Sequence, residues 1–170
     1  KDYYLFFGQL VGYKRADLAL EACVKAGKKI VVVGEGGSAK ECKKYEKTGL
    51  VNFAGRVNDD EILKYLSEAK ALLFPGVEDF GIIPVEANAA GCPVIAFRKG
   101  GALDSIKEGV TGMFFDEQTA ENLAKAIEAF EKLPEGTFSN RKDFSDHVAQ
   151  FSQAAFTEKI KALVNEKKRY

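Results

Sequence analysis

Lys14, Glu78 and Glu86 are the residues whose types and neighbours best suit chemistry. Lys14 lies in Gly8-Gln9-Leu10-Val11-Gly12-Tyr13-Lys14-Arg15, where two glycines allow tight turns and close ligand approach to the backbone. Lys14-Arg15 puts two cations at or just before an expected helix start. The helix dipole disfavours positive charge there, so an anion held by the lysine and the free amides accounts for the pattern; the alternative is two solvated cations with Asp17 as partner. Glu78 opens the run Glu78-Asp79-Phe80-Gly81-Ile82-Ile83-Pro84, and Glu86 follows it. Pro84 suits a first helical turn, which leaves the amides around Gly81, Ile82 and Ile83 free for an anion or a hydroxyl. One glutamate in the loop and one in the helix can grip two parts of a polyhydroxylated ligand, because carboxylates accept strong hydrogen bonds from hydroxyls. A carboxylate pair also suits glycoside hydrolysis, although a hydrolase has no need of the phosphate-binding features beside it. A third stretch, Gly34-Glu35-Gly36-Gly37-Ser38-Ala39, fits the dinucleotide fingerprint G-x-G-x-x-A. It follows the second expected strand rather than the first. The next strand ends at Gly55-Arg56, with no acid for a ribose hydroxyl. Arg56 suits a 2′-phosphate, so an NADP-binding module stands as an alternative.

Other chemistries are excluded. His147 is the only histidine, which removes zinc sites built on several histidines and any H-E-x-x-H centre. It sits in a polar stretch far from any glycine turn and is expected at the surface or on a helix flank. Cys23, Cys42 and Cys92 are odd in number and form no C-x-x-C pair, a usage that points to a reducing, intracellular compartment. Lys+Arg and Asp+Glu are 25 each, and zero net charge argues against a protein that coats nucleic acid or an anionic membrane. No apolar run approaches the roughly 18 residues that cross a bilayer.

The elements that must position these residues are legible as alternating runs. Near-continuous apolar stretches at residues 3–7, 30–33, 51–54, 71–74, 94–97 and 112–115 mostly end at or near glycine, as strands buried on both faces of a parallel sheet do. Helical spacing separates them, with Asn58-Asp59 and Thr119 as expected N-caps. The expected fold is α/β, a Rossmann-like doubly wound parallel sheet of about six strands with default order 3-2-1-4-5-6 and C-terminal helices. Residues 1–132 form the Rossmann-like domain. Residues 133–170 form a helical segment, with Phe144, Val148 and Phe151 on one helix and Phe156, Ile160 and Leu163-Val164 on a last one that ends in Lys167-Lys168-Arg169.

These residues together resemble the C-terminal, donor-binding half of GT-B glycosyltransferases of family four, a retaining family that includes many mannosyltransferases. The resemblance covers essentially the whole chain. Its most specific part is the E-x7-E motif, Glu78-Asp79-Phe80-Gly81 with Glu86, continued by Ala89-Ala90-Gly91-Cys92-Pro93-Val94-Ile95-Ala96. Gly8-x-Leu10 with Lys14, Gly34-Glu35-Gly36, Phe53-x-Gly55-x-Val57 and Gly100-Gly101 support it. The resemblance implies that Lys14 contacts the donor diphosphate and stabilises the leaving group, with Gly8, Gln9, Gly81 and Ile82 completing the diphosphate site. It implies that Glu78 lies at the reaction centre, with Phe80 and Gly81 also at the sugar, that Glu86 binds the ribose, and that Arg56 and Val57 lie near the base. The family usually has arginine where this chain has Gln9, so one cation of the clamp is replaced by a neutral donor. The expected donor is a nucleotide diphosphate hexose, GDP-mannose favoured, and no metal or cofactor is expected. The chain is then half an enzyme, an excised domain or a split subunit that lacks its N-terminal acceptor-binding domain, and it is inactive alone. Residues 133–170 would pack on that domain. The resemblance implies a glycan or lipid-linked acceptor, polysaccharide biosynthesis, and a cytoplasmic place (or the inner membrane face when full-length), with membrane association only through absent parts. The competing readings are the NADP- or nucleotide-binding module and an inactive scaffold of the same fold.

Overall fold

The computed structural model describes residues 1–167, with side chains through Asn165; Lys168 and Arg169 of the basic end lie outside the described residues. The strands are β1 (Tyr4–Phe7), β2 (Ile30–Val33), β3 (Val51–Gly55), β4 (Leu72–Phe74), β5 (Val94–Phe97) and β6 (Gly112–Phe115). The helices are α1 (Ala16–Lys25), α2 (Ala39–Cys42), α3 (Asp59–Glu68), α4 (Ile82–Ala89), α5 (Ala102–Ser105), α6 (Ala120–Glu131), α7 (Arg141–Ala149) and α8 (Gln153–Lys167). The strands form one sheet in the order β3-β2-β1-β4-β5-β6, and every pairing is parallel. The expected fold class and strand order are both found. The turn-length α2 and α5 lack enough residues for a periodic signal, and the sequence reading did not anticipate them.

Alternate residues along each strand feed opposite faces of the sheet. Tyr4, Phe6, Val32, Leu73 and Ile95 join Leu20, Leu123 and Ile127 of α1 and α6 on one face. Leu5, Val31, Val33, Leu72, Phe74 and Val94 join Leu66, Ile83 and Ala87 of α3 and α4 on the other. Each large apolar side chain so buried contributes about 1.5–3 kcal/mol. The expected caps form. Asn58 accepts from the Glu61 amide while the Glu61 carboxylate accepts from the Asn58 amide, a closed capping box. Thr119 accepts from the Asn122 amide at 3.2 Å.

At the amino ends of the strands one carboxylate gathers three donors. Glu131 accepts from the Tyr4 hydroxyl at 2.7 Å and pairs with Lys70 at 2.8 Å and Lys28 at 3.0 Å. Partial burial acts to raise its pKa, but these donors outweigh it and hold the carboxyl at about 2, below its ordinary 4.5. A depressed carboxyl contributes stability in full above its unfolded value and loses it as pH falls through the folded one. The Glu131 contribution is therefore present above 4.5 and lost on the way down to about 2, and amounts to about 2 kcal/mol after allowance for partial exposure. Chemical denaturation between pH 5 and pH 2 is expected to show a shallower acid loss in Glu131→Gln than in wild type. Parallel acid limbs in the two proteins would count against this network.

The C-terminal segment divides. Helix α7 packs on α4 of the same unit, with Phe144 buried. His147 is a correction: it is not a surface residue but 7% exposed. Its Nε2–H donates to the Ser105 carbonyl at 2.9 Å, and its Nδ1 accepts from Gln150 Nε2 at 3.0 Å. With one nitrogen facing a carbonyl, the ring lies in the Nε2–H tautomer. Polar neighbours in sequence gave no sign that α7 turns this face inward. Helix α8 instead exposes Phe156, Ile160, Leu163 and Val164. No helix among the described residues is long and apolar enough to cross a membrane.

Candidate functional site

In an open parallel sheet ligands bind beyond the carboxyl ends of the strands, and the chemistry-bearing loops collect there. The loop after β1 lies directly on the loop after β2. Gly8 N–H donates to the Val33 carbonyl, Leu10 N–H to the Glu35 carbonyl and Ser38 N–H to the Leu10 carbonyl, at 2.8–3.0 Å. Gly34 holds φ +135°, and a Cβ there would run into the Gly8 carbonyl oxygen. The first glycine of the apparent dinucleotide fingerprint thus has a job within the fold, namely letting one backbone rest on another. The helix that follows, α2, is four residues long.

That stacking fixes the turn carrying Lys14. Its ammonium reaches the Glu78 carboxylate at 2.8 Å, with the two side chains only 13% and 17% exposed. The two residues arrive from different strands, β1 and β4. Gly76 admits the Lys14 backbone, since a Cβ on Gly76 would come within 2.8 Å of the Lys14 Cα. The ion pair meets the distance for a charge contact, but Glu78 Oε1 has no hydrogen bond of good geometry. Charge attraction rather than a directed bond links the two.

Beyond Glu78 the chain turns through Gly81, whose φ of +70° makes it the left-handed N-cap of α4. Among the described residues the amides of Phe80, Gly81, Ile82 and Ile83 donate to no protein acceptor. They are the free N-terminal donors of a helix, and they open into a cleft of about 570 Å³ lined by Tyr13, Val77, Glu78, Asp79, Phe80, Gly81 and Ile82. A larger depression of about 710 Å³ lies at the opposite end of the sheet beside Lys70 and Glu131, away from Lys14 and Glu78.

The structure brings Gly8, Lys14, Glu78, Phe80, Gly81 and Ile82 together around this cleft. Glu86 lies farther along α4, with no ion-pair or hydrogen-bond partner among the described residues. Desolvation of its carboxyl raises its pKa, and the Asp59 carboxylate on α3 adds to the effect. Arg56 is exposed and Val57 half-buried at the end of β3, where Val57 packs on the core cluster that holds Ile83 and Ala87. Gln9 is exposed. Two arginines of the chain are engaged away from the cleft. Arg15, the one non-glycine residue at positive φ among the described residues, binds Asp17 at 3.0 Å. Arg98 binds Glu108 and Asp116 at 2.6–2.8 Å. Sequence reasoning missed Tyr13, which walls the cleft with Lys14 Nζ 5.8 Å from its ring centroid, and it missed Asp59 beside Glu86. Tyr13 adjoins Lys14 in sequence, and Asp59 follows the Asn58 N-cap of α3.

Residues 1–151 match the family of glycosyl transferases group 1. The chain belongs to that family. Human alpha-1,3/1,6-mannosyltransferase ALG2 is 36% identical over 112 residues, which are 65% of this chain and 27% of that protein. An uncharacterized glycosyltransferase of Methanocaldococcus jannaschii is 30% identical over 133 residues, 73% of this chain and 34% of its own length. Among solved structures, Anabaena Alr3699/HepE in complex with UDP superposes with a TM-score of 0.82 at 20% identity, covering 97% of this chain and 49% of that one. Sucrose-phosphate synthase from Thermosynechococcus elongatus gives 0.80 at 24% identity, covering 99% and 46%. These likenesses show a shared fold, the Rossmann-like half of a GT-B architecture. This group 1 glycosyl transferase chain spans about a third or less of the length of those two relatives and about half of those solved chains.

Proposed function

We propose that this chain is the donor-binding half of a retaining glycosyltransferase that moves a hexose, mannose from GDP-mannose for preference, to a glycan or lipid-linked acceptor in polysaccharide biosynthesis. The observation that carries the reading is the convergence of Lys14, Glu78 and the unbonded amides at the start of α4. A diphosphate needs cations and amide donors, and a hexose needs carboxylate acceptors; the cleft offers both within one ion-pair distance. In this reading Lys14, the Gly81 and Ile82 amides, Gly8 and Gln9 hold the diphosphate. They stabilise the charge that develops as the glycosidic bond to the nucleotide breaks. Glu78, Phe80 and Gly81 hold the sugar. Glu86 accepts from the ribose hydroxyls, and Arg56 and Val57 flank the base. No metal or organic cofactor enters, because the lysine and the helix amides meet the diphosphate charge.

The mannose preference rests on the mannosyltransferase relative and on the resemblance of residues 75–96. The bound UDP of the Anabaena structure makes a uridine donor the alternative. The chain needs an acceptor-binding domain to catalyse transfer and works in the cytoplasm, at the inner membrane face when joined to the rest of its enzyme.

Calorimetric titration with GDP, UDP, GDP-mannose, UDP-glucose and NADP tests the reading. A nucleoside diphosphate is expected to bind, and Glu86→Ala is expected to weaken it about 10-fold through loss of a charge-assisted hydrogen bond. Binding of NADP alone, lost in Arg56→Ala, would replace this reading with the dinucleotide module. No nucleotide binding at all would leave the scaffold.

A further inference from the structure

We propose that His147 and Phe151, in the C-terminal segment, are positioning residues for the sugar end of the cleft, acting through Phe80. The inference rests on the reading of that cleft as a nucleotide-sugar site. Phe80 is 52% exposed on the cleft wall, yet one edge of its ring is held. Its centroid lies 6.0 Å from that of Phe151, edge to face at 74°. The Phe151 ring in turn stands 5.3 Å from the His147 ring, again edge to face, and its amide donates to the Val148 carbonyl at 2.9 Å.

The same histidine reaches the loop by a second route. Its Nε2–H donates to the carbonyl of Ser105, the last residue of α5. The N-cap of α5 is Gly101, whose amide donates to the Glu78 carbonyl at 2.7 Å. A Cβ on Gly101 would run into the Phe80 carbonyl oxygen. The path His147, Ser105, α5, Gly101, Glu78–Phe80, Phe151 and back to His147 is therefore closed. One buried imidazole braces the loop by its backbone on one side and by an aromatic ring on the other.

This bracing is selective in what it touches. Glu78 and Phe80, assigned to the sugar, lie on the braced loop. Of the groups assigned to the nucleotide, Lys14, Glu86 and Arg56 lie on other elements, and the Gly81 and Ile82 amides, next in the chain after Phe80, belong to the start of α4. Loosening the brace should thus cost sugar contacts more than nucleotide contacts. Edge-to-face ring pairs and single neutral hydrogen bonds each correspond to about 3- to 10-fold in an equilibrium constant.

The test uses the whole chain and the variants His147→Ala, His147→Gln and Phe151→Leu. Glutamine can set its amide near the place of Nε2 and keep the donor to Ser105. NMR of the free chain reads the brace without any nucleotide. The Phe80 ring resonances are expected to shift in His147→Ala and Phe151→Leu and to stay near wild type in His147→Gln. With GDP-mannose and UDP-glucose as probes, His147→Ala and Phe151→Leu are expected to raise the dissociation constant of the sugar nucleotide about 3- to 10-fold. GDP and UDP should change less than about 2-fold, and His147→Gln should recover sugar-nucleotide binding. Equal losses for both ligand types would assign His147 to fold stability alone and overturn the proposal. So would unmoved Phe80 resonances. A wild-type chain that binds no nucleotide, with Phe80 resonances responding as expected, would instead remove the nucleotide-sugar reading and leave the brace a feature of the fold.

Discussion

Lys14→Ala is expected to weaken nucleoside diphosphate binding by about 30- to 100-fold, the largest loss at any single position of the cleft. A charge-assisted hydrogen bond to an anion contributes about 1.5–3 kcal/mol, and Lys14 is the cation paired with Glu78 of the cleft wall. Arg15 and Arg98 are bound to Asp17 and to Glu108 and Asp116, so neither stands ready to replace it. A second effect adds to the first. Without Lys14 the Glu78 carboxylate, 17% exposed, loses its partner and stands as an acidic group facing the incoming diphosphate. Lys14→Ala combined with Glu78→Gln separates the two effects: it should bind diphosphate more tightly than Lys14→Ala alone and more weakly than wild type. Isothermal titration of GDP and UDP against the three proteins provides the measurement. Unchanged affinity in Lys14→Ala would place the diphosphate elsewhere.

Gly34→Ala is expected to be the most destabilising single methyl addition at the site. The added carbon would occupy the position of the Gly8 carbonyl oxygen, and φ of +135° is strained for any L side chain. The clash is with backbone, which cannot rotate away as a flexible side chain does. The cost is about 3–5 kcal/mol, a fall in Tm of about 10 °C for a chain of this size. Gly37→Ala in the same loop is the control, since a Cβ there meets nothing within 4 Å. Because Gly8 belongs to the loop that carries Lys14, Gly34→Ala should also weaken diphosphate binding in whatever protein remains folded. Equal melting temperatures for the two alanine variants would show that the loops can separate without cost.

The sheet was the most legible part of the chain. Runs such as Ile30-Val31-Val32-Val33 are short, β-branched, apolar without alternation and closed by glycine, as a strand covered on both faces is. The caps at Asn58 and Thr119 were equally legible, because capping is decided within four residues. The stretch from Glu78 to Glu86 carried the resemblance and the helix N-terminus, since Gly81 and Pro84 mark where α4 begins. What escaped was non-local. Lys14 meets Glu78 because the loops after β1 and β4 end side by side, whereas Arg15 takes the local partner Asp17 that its sequence neighbours already offered. The fingerprint over residues 34–39 looked like a cofactor loop until Gly34 was found against Gly8.

By itself the sequence determined the element types, the fold class and the residues proposed for a diphosphate and a sugar. Those properties follow from periodicity, glycine and proline stereochemistry and side-chain charge, all of which act over a few neighbouring residues. Only the tertiary structure decided which charges meet. It set Lys14 on Glu78, engaged Arg98 with Glu108 and Asp116, and buried His147 behind the loop that carries Phe80. Those pairings depend on where separate strands end in space and on which face a helix turns inward. For Lys14 with Glu78 and for His147, burial decides them by removing the water that would otherwise serve any polar group equally well.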